Sequence, residues 1–381
     1  MSPLHSSVRS RWAGPVAVAL LVALGTAGCS AGAGAPAVSS VAPASAETPS
    51  PSPTPSAAPL SCADLVPKAE IVRALAAGQP ADDWVVLPVS TVDGSITGQK
   101  ALEGAGGLGC SWRAGPPNSE TGIATLTVSI LPGAANQWTG ALYGDAPTEQ
   151  RRTFAGISAA ATCGDPGCGA TAAVGSSWVR VDLLTGSREG GTSAFAKETD
   201  DQVFAGLKPA VETVFRTVQD ASAAQLRFPD HVPADSAAPC TNYLTKVDLE
   251  GALKVQRTRV STDFPPDPKV DSLFGAAELR LGDSVCVVED ARYSSATELA
   301  SVTVGPEQAW AVDEIATDSA QRGDLRPIRL EGLASGERAL SNCGSGSTPC
   351  TVLFTLGSTA IQIENTPRAV QVAEAILATA R

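Results

Sequence analysis

A chain of 381 residues with a formal charge of −12, 4% aromatic residues and two histidines is long enough for two domains. So acidic a composition is a poor match for nucleic acid or anionic lipid surfaces. Nine cysteines without a zinc-knuckle or Cys-x-x-Cys spacing point to an oxidising, extracytoplasmic compartment rather than to metal or thiol chemistry.

Residues 1–28 carry Arg9 and Arg11 and no acid, then an apolar run from Pro15 to Leu24 that ends in Gly25-Thr26-Ala27-Gly28 before Cys29. This is a signal-peptide layout. It resembles the bacterial lipoprotein signal, which implies lipidation of Cys29 and anchoring to the outer face of the cell membrane. Residues 29–59, rich in Pro, Ser and Ala, include Pro49-Ser-Pro51-Ser-Pro53-Thr-Pro55 and read as a disordered tether. At ~3.1 Å per residue in polyproline geometry it reaches on the order of 90 Å.

Beyond the tether the cysteines occur twice in one order. From Cys62 through Cys110, Cys163 and Cys168 the steps are 48, 53 and 5; from Cys240 through Cys286, Cys343 and Cys350 they are 46, 57 and 7. Two copies of one domain follow, over 60–220 and 239–381, joined by a linker at 221–238. Each opens on a helix: Cys62 to Leu75, with Pro67 at its first turn, aligns without a gap with Cys240 to Leu253, where Thr245 and Asp248 form a capping-box variant expected to start the helix. Strands come next, Gly109–Trp112 and Ile123–Ile130 against Val285–Val288 and Leu299–Val304, the longer ones with period-two alternation. A proline, Pro132 or Pro306, and a tryptophan, Trp138 or Trp310, follow each longer strand.

Phe154-Ala-Gly156-Ile157 and Leu330-Glu-Gly332-Leu333 lead into the close cysteine pairs. Gly175-Ser176 and Gly357-Ser358 mark hairpin turns. Terminal amphipathic helices complete the copies. Thr199 to Gln202 is a capping box ahead of Val203, Leu207, Val211, Val214 and Val218, with Pro209 expected to kink this helix or mark its start. Asn365-Thr366-Pro367 precedes Val370, Ala373, Ile376 and Leu377, expected to face inward. The fold class is α+β, two similar domains each with an antiparallel sheet and helices packed on one face.

Four cysteines per copy allow three pairings, and neighbours in sequence are expected: Cys62–Cys110, Cys163–Cys168, Cys240–Cys286 and Cys343–Cys350. The long bridges would contribute ~4 kcal/mol each and the short ones ~2 kcal/mol in the chain-entropy model.

The catalytic inventory is thin. His5 lies in the signal and His231 in the linker, where a solvated loop residue is expected. No Gly-x-Ser-x-Gly, Ser-x-x-Lys, Walker or calcium-loop motif occurs. The adjacent carboxylates Asp82-Asp83, Asp200-Asp201 and Glu289-Asp290 are the remaining acid–base candidates. Asp200 and Asp201 suit a helix N-terminus, and Glu289 and Asp290 on a strand point to opposite faces. Among Trp84, Trp138, Trp178 and Trp310 a packing role is expected, and segments 132–153 and 306–327 are where a ligand would be sought. No metal site and no cofactor is expected.

Cys62, Leu65, Val66, Cys110, Trp112, Gly156 and Ile157 in the first copy, with Cys240, Tyr243, Leu244, Cys286, Gly332 and Leu333 in the second, resemble an uncharacterised lipoprotein domain family of actinobacteria. Val288 stands where that pattern has tryptophan. The resemblance implies a PsbP-like sandwich and supplies no catalytic residue. The expected function is a non-enzymatic binding or interaction module at the cell envelope, with a cell-wall component, a lipid or a membrane protein as partner and no nucleic acid. The alternatives are a carboxylate-dependent hydrolase acting in one domain and a transporter-linked solute-binding lipoprotein.

Overall fold

The computed structural model describes residues 58–76, 85–88, 95–115, 124–141, 150–186, 188, 193–234, 238–262, 272–293, 297–322, 325–344 and 348–381. The signal segment, Cys29, the tether up to residue 57, and Asp82, Asp83 and Trp84 lie outside these residues.

The first half runs α1 (Cys62–Leu65), α2 (Lys68–Leu75), β1 (Val85–Pro88), α3 (Gln99–Gly104), β2 (Leu108–Gly115), β3 (Ala124–Leu131), a 3-10 turn (Ala135–Gln137), β4 (Gln150–Phe154), β5 (Ile157–Gly164), β6 (Gly167–Val174), β7 (Ser177–Leu184) and α4 (Asp200–Asp220). The second runs α5 (Cys240–Leu244), α6 (Leu249–Leu253), β8 (Thr258–Thr262), α7 (Leu273–Leu281), β9 (Ser284–Asp290), β10 (Glu298–Gly305), α8 (Ala309–Arg322), β11 (Arg326–Pro327), β12 (Ala339–Ser341), β13 (Cys350–Leu356), β14 (Thr359–Thr366) and α9 (Ala369–Thr379). Each half forms a seven-stranded antiparallel sheet. The orders are β1-β2-β3-β7-β6-β5-β4 and β8-β9-β10-β14-β13-β12-β11, which match strand for strand. The α+β class with two similar sheet domains therefore holds, and the repeat seen in the cysteines is a repeat of topology.

The alternation in β3 sorts its side chains, because successive residues of a strand face opposite ways. Leu126, Val128 and Ile130 enter the main core with Val179, Val181 and Leu183 of β7, and α4 lays Val203, Leu207, Val211, Val214 and Val218 over them. In the second half Val302, Val304, Ile361, Ile363, Val352 and Phe354 meet Val372, Ala373, Ile376 and Leu377 of α9. Four disulfides join the expected neighbours. Two of them tie each opening helix to β2 or β9, and Cys163 and Cys168 lie directly opposite each other across β5 and β6. These bonds place the described chain in an oxidising, extracytoplasmic setting.

The other faces of the sheets are covered partly by each half's own helices and partly across the seam between the halves. Helices α3 and α7 occupy the same place in the repeat: Gly106 and Gly282 end them with φ of 74° and 73°, and the next residue in each donates its N–H to Leu102 or Glu278. Glycine meets this left-handed geometry without a Cβ penalty. The two helices pack on each other, joining Ala101, Leu102 and Ala105 to Ala276, Ala277 and Leu281, with Leu131 and Trp178 beneath. Ile96 of the first half is buried among Ala311, Val312, Ile315, Leu353 and Ala360 of the second. Burial of one such side chain contributes about 1.5–3 kcal/mol.

Polar groups fix the register of the seam. Gln362 Oε1 accepts from Ile96 N–H at 3.0 Å while its amide nitrogen donates to Ser95 Oγ. Arg280 donates to the carbonyls of Ala105 and Pro132, both at 2.9 Å. Lys100, 3% exposed, reaches Glu103 and Glu314 at 2.6 Å each. Burial pulls the Lys100 pKa down, but the two carboxylates outweigh it and leave it raised.

Several local expectations change. Asp248 is itself the N-cap of α6, accepting from Gly251 N–H, whereas Thr245 turns its hydroxyl back to Thr241 O; the opening helix is broken into α5 and α6 rather than started at Thr245. Pro209 sits inside a continuous α4. In α9 it is Val372, not Val370, that is fully buried, because the helix begins two residues beyond Pro367. Segment 221–238 is docked at its start: Phe228 lies in the first core, and Leu60 N–H donates to Gln225 O.

A Cβ placed on Gly104 would stand 3.1 Å from Leu281 and 3.2 Å from Trp310. Gly104→Leu is expected to cost about 1–3 kcal/mol through overpacking at the seam. Gly344→Ala, where nothing lies within 4 Å, is expected to leave the melting temperature unchanged. Equal melting temperatures for the two variants would show that the α3–α7 contact does not limit stability.

Candidate functional site

The described residues contain a polar cleft of about 410 Å³ in the first half, lined by Gln150, Arg152, Ala161, Thr162, Cys163, Thr199, Asp200 and Asp201. Three segments meet there: the edge strand β4, the end of β5, and the head of α4. The capping box aims the helix. Thr199 Oγ1 accepts from Gln202 N–H at 3.3 Å, and Gln202 Oε1 accepts from Thr199 N–H at 2.8 Å. This satisfies N–H groups that the helix cannot, and places Asp200 and Asp201 in the favourable field of the first turn.

The charges are divided. Asp200 Oδ1 accepts from Arg188 at 2.5 Å, and Arg188 also reaches Glu198 O and, through its backbone N–H, Asp165. The guanidinium of Arg152 lies 4.1 Å from the Phe204 ring centre and donates to Gln150. Asp201, exposed at the rim, enters no hydrogen bond or ion pair among the described residues. The disulfide of Cys163 closes one wall.

The other carboxylate pair has structural partners. Glu289 receives two bonds from Arg259, at 2.8 and 2.6 Å, and Asp290 is gripped by Arg292, whose hydrogen bonds hold its carboxyl below the ordinary range. The two belong to neighbouring positions of β9 and do not converge. Asp82 and Asp83 fall outside the described residues.

His231 is exposed, as expected of a loop residue, but its ring stacks on Trp310 at 4.3 Å and its backbone N–H donates to Gly104 O. Trp310 and Trp138 pack at the edges of the two outer-face clusters, and Trp178 is fully buried with Nε1 donating to Thr171. Segment 306–327, where a ligand was sought, is mostly occupied by α8. The described part of 132–153 ends in β4, one wall of the cleft. Among the described residues no three His, Cys, Asp or Glu side chains gather as metal ligands.

Sequence reasoning names Asp200, Asp201, Thr199 and Cys163 but not Arg152, Gln150, Thr162 or Arg188. Gln150, Arg152 and Thr162 come together only through pairing of β4 with β5, and Arg188 arrives from the segment after β7, which no local pattern encodes. Two successive arginines, 151 and 152, in an acidic chain are the one available signal. Comparison of the chain with family models, curated proteins and solved structures finds no match.

Thr199→Ala is expected to cost about 1 kcal/mol by removing the cap of α4, read as a lower urea midpoint. Arg368→Ala, at an N-cap whose side chain makes no capping bond, is expected to change that midpoint little.

Proposed function

We propose that the protein is a non-enzymatic binding module held at the outer face of the cell membrane by lipidated Cys29, and that the cleft at the head of α4 is its ligand site. The observation that carries this reading is the division of charge in that cleft: Arg152 on one wall, Asp201 without an ion pair among the described residues on another, and Gln150, Thr162 and Thr199 between them. Opposed charges with intervening hydrogen-bonding groups suit a polar fragment that bears an ammonium group, such as cell-wall material supplies. Lipid or membrane-protein partners have no comparable support from the cleft's polarity.

The hydrolase alternative draws on the same carboxylates and is weaker. Asp200 and Asp201 are successive residues on one helical turn, so their side chains diverge by about 100° around the axis, and Asp200 is engaged by Arg188. Paired acid–base work needs two carboxyl groups facing one substrate bond. Membership of an actinobacterial lipoprotein domain family fits the repeated strand order but rests on the sequence motifs alone.

Two experiments test the reading. Soluble cell-wall fragments carrying free amines are expected to raise the melting temperature saturably, by the mass-action stabilisation of a ligand that prefers the folded state, and Asp201→Ala and Arg152→Ala are each expected to weaken this at least tenfold. Shifts that survive both substitutions would move the site elsewhere, and no shift with any fragment would reject the ligand class. Separately, Cys29→Ser is expected to move the protein from the detergent phase to the aqueous phase in a bacterial host; unchanged partition would remove the lipid anchor.

A further inference from the structure

A buried acid stands at the seam, away from the cleft. Asp283 follows Gly282 at the end of α7 and is 8% exposed; its partner Gln308, just ahead of α8, is 0% exposed. Gln308 Nε2 donates to Asp283 Oδ1 at 2.5 Å. The second oxygen of Asp283 and the Oε1 of Gln308 have no hydrogen-bond partner among the described residues. In the first half the position after Gly106 is Gly107, and the residue two beyond Pro132 is Ala134. The acid–amide pair thus belongs to the second copy alone.

We propose that Asp283 makes the seam sensitive to acidity: as a neutral acid it locks the end of α7 to the head of α8, and as a carboxylate it loosens that lock. The neutral acid carries an O–H donor and the facing amide carries an oxygen that lacks one, so protonation makes the two unpaired groups complementary. Ionisation instead leaves a charge in surroundings that solvate it poorly.

The neighbouring charges offer the ionised form little relief. Glu278, on α7, repels it and accepts the N–H of Gly98 from the first half. Arg280 donates to Ala105 and Pro132. Glu307 beside Gln308 is also acidic and bonds Ser358. On the β9 side Ser284 is neutral and accepts from Cys240 N–H. Since Glu278 and Arg280 hold the first half, loosening the end of α7 reaches the whole seam.

Burial, aided by Glu278 and opposed by Gln308, raises the Asp283 pKa well above the ordinary carboxylate value. The folded protein then retains a proton that the unfolded chain releases. Its contribution is complete below pH ~4, where even the unfolded carboxyl is protonated, and is lost as pH rises through the raised pKa.

The test compares the full chain with Asp283→Asn between pH 4.5 and 8.5. The unaltered chain is expected to melt lower as pH rises. The Asn variant is expected to fall less and to melt about 2–4 °C higher at the upper end, with slower hydrogen exchange in α3 and α7 after correction for intrinsic rates. Parallel melting profiles would overturn the proposal. A carbon-13 titration of the Asp283 carboxyl in the unaltered chain decides the matter even if the variant does not fold: a midpoint well above 4 supports the proposal, and one near 4 rejects it.

Discussion

Everything in the described chain depends on the need to cover two faces of each sheet. A helix layer can dry only one face, and in both halves α4 or α9, with the short opening helices, takes the face bearing Leu126 and Val128 or Val302 and Val304. The opposite faces still carry Leu131, Trp178, Leu353 and Ala360, all buried. Their cover is mixed: α7 crosses the seam onto β3 and β7 and Ile96 onto β13, while α8 lies on β13 and β14 of its own half. Each half closes its outer face with residues of both halves. The duplication is therefore better described as one body with two cores and a shared middle than as two beads on a string.

Sharing places demands on particular residues. Close approach of α3 to α7 requires Gly104 opposite Leu281 and Trp310. Wherever backbone groups at the seam are shut away from water they must be paired, and Arg280, Gln362 and Glu278 do this with side chains rather than with ladder bonds. The buried Lys100 is tolerated because Glu103 and Glu314 both meet it. Such pairs fix register more than they add stability, since desolvation offsets much of their attraction.

The halves were legible in the sequence because their markers are periodic or covalent. Cysteine spacing gave the repeat, alternation gave β3 and β10, and the Thr199–Gln202 box gave the start of α4. The seam was illegible for a specific reason. Ala311, Val312 and Ile315 recur at helical spacing, yet among the described residues the first copy has a 3-10 turn, Ala135–Gln137, in that place, so the likeness of the copies does not point to α8. Ser272 and Gly282 bracket α7 with ordinary cap signals, but nothing local says that its apolar side is meant for the other half's sheet. The cleft failed in the same way: Arg152 and Asp201 are 49 positions apart in the chain and meet through pairing of β4 and β5 and the docking of α4.

Divergence between the copies follows a pattern that bears on their roles. The scaffold elements agree down to the turn glycines, with Gly156 and Gly332 at φ of 84° and 86° and Gly175 and Gly357 at 57° and 62°. What differs is polar and local. The head of α4 presents Thr199, Asp200 and Asp201 where α9 begins with Arg368, Ala369 and Val370, and the seam carries Asp283 and Gln308 where the first half has Gly107 and Ala134. Conformational requirements constrain both copies equally, because a glycine at positive φ is needed wherever the turn recurs. The buried carboxyl of Asp283 carries a desolvation cost, whereas Asp200 and Asp201 stand exposed where a helix N-terminus favours negative charge. Thr199, Asp200 and Asp201 therefore mark the first copy, and Asp283 with Gln308 the second, within one compact body.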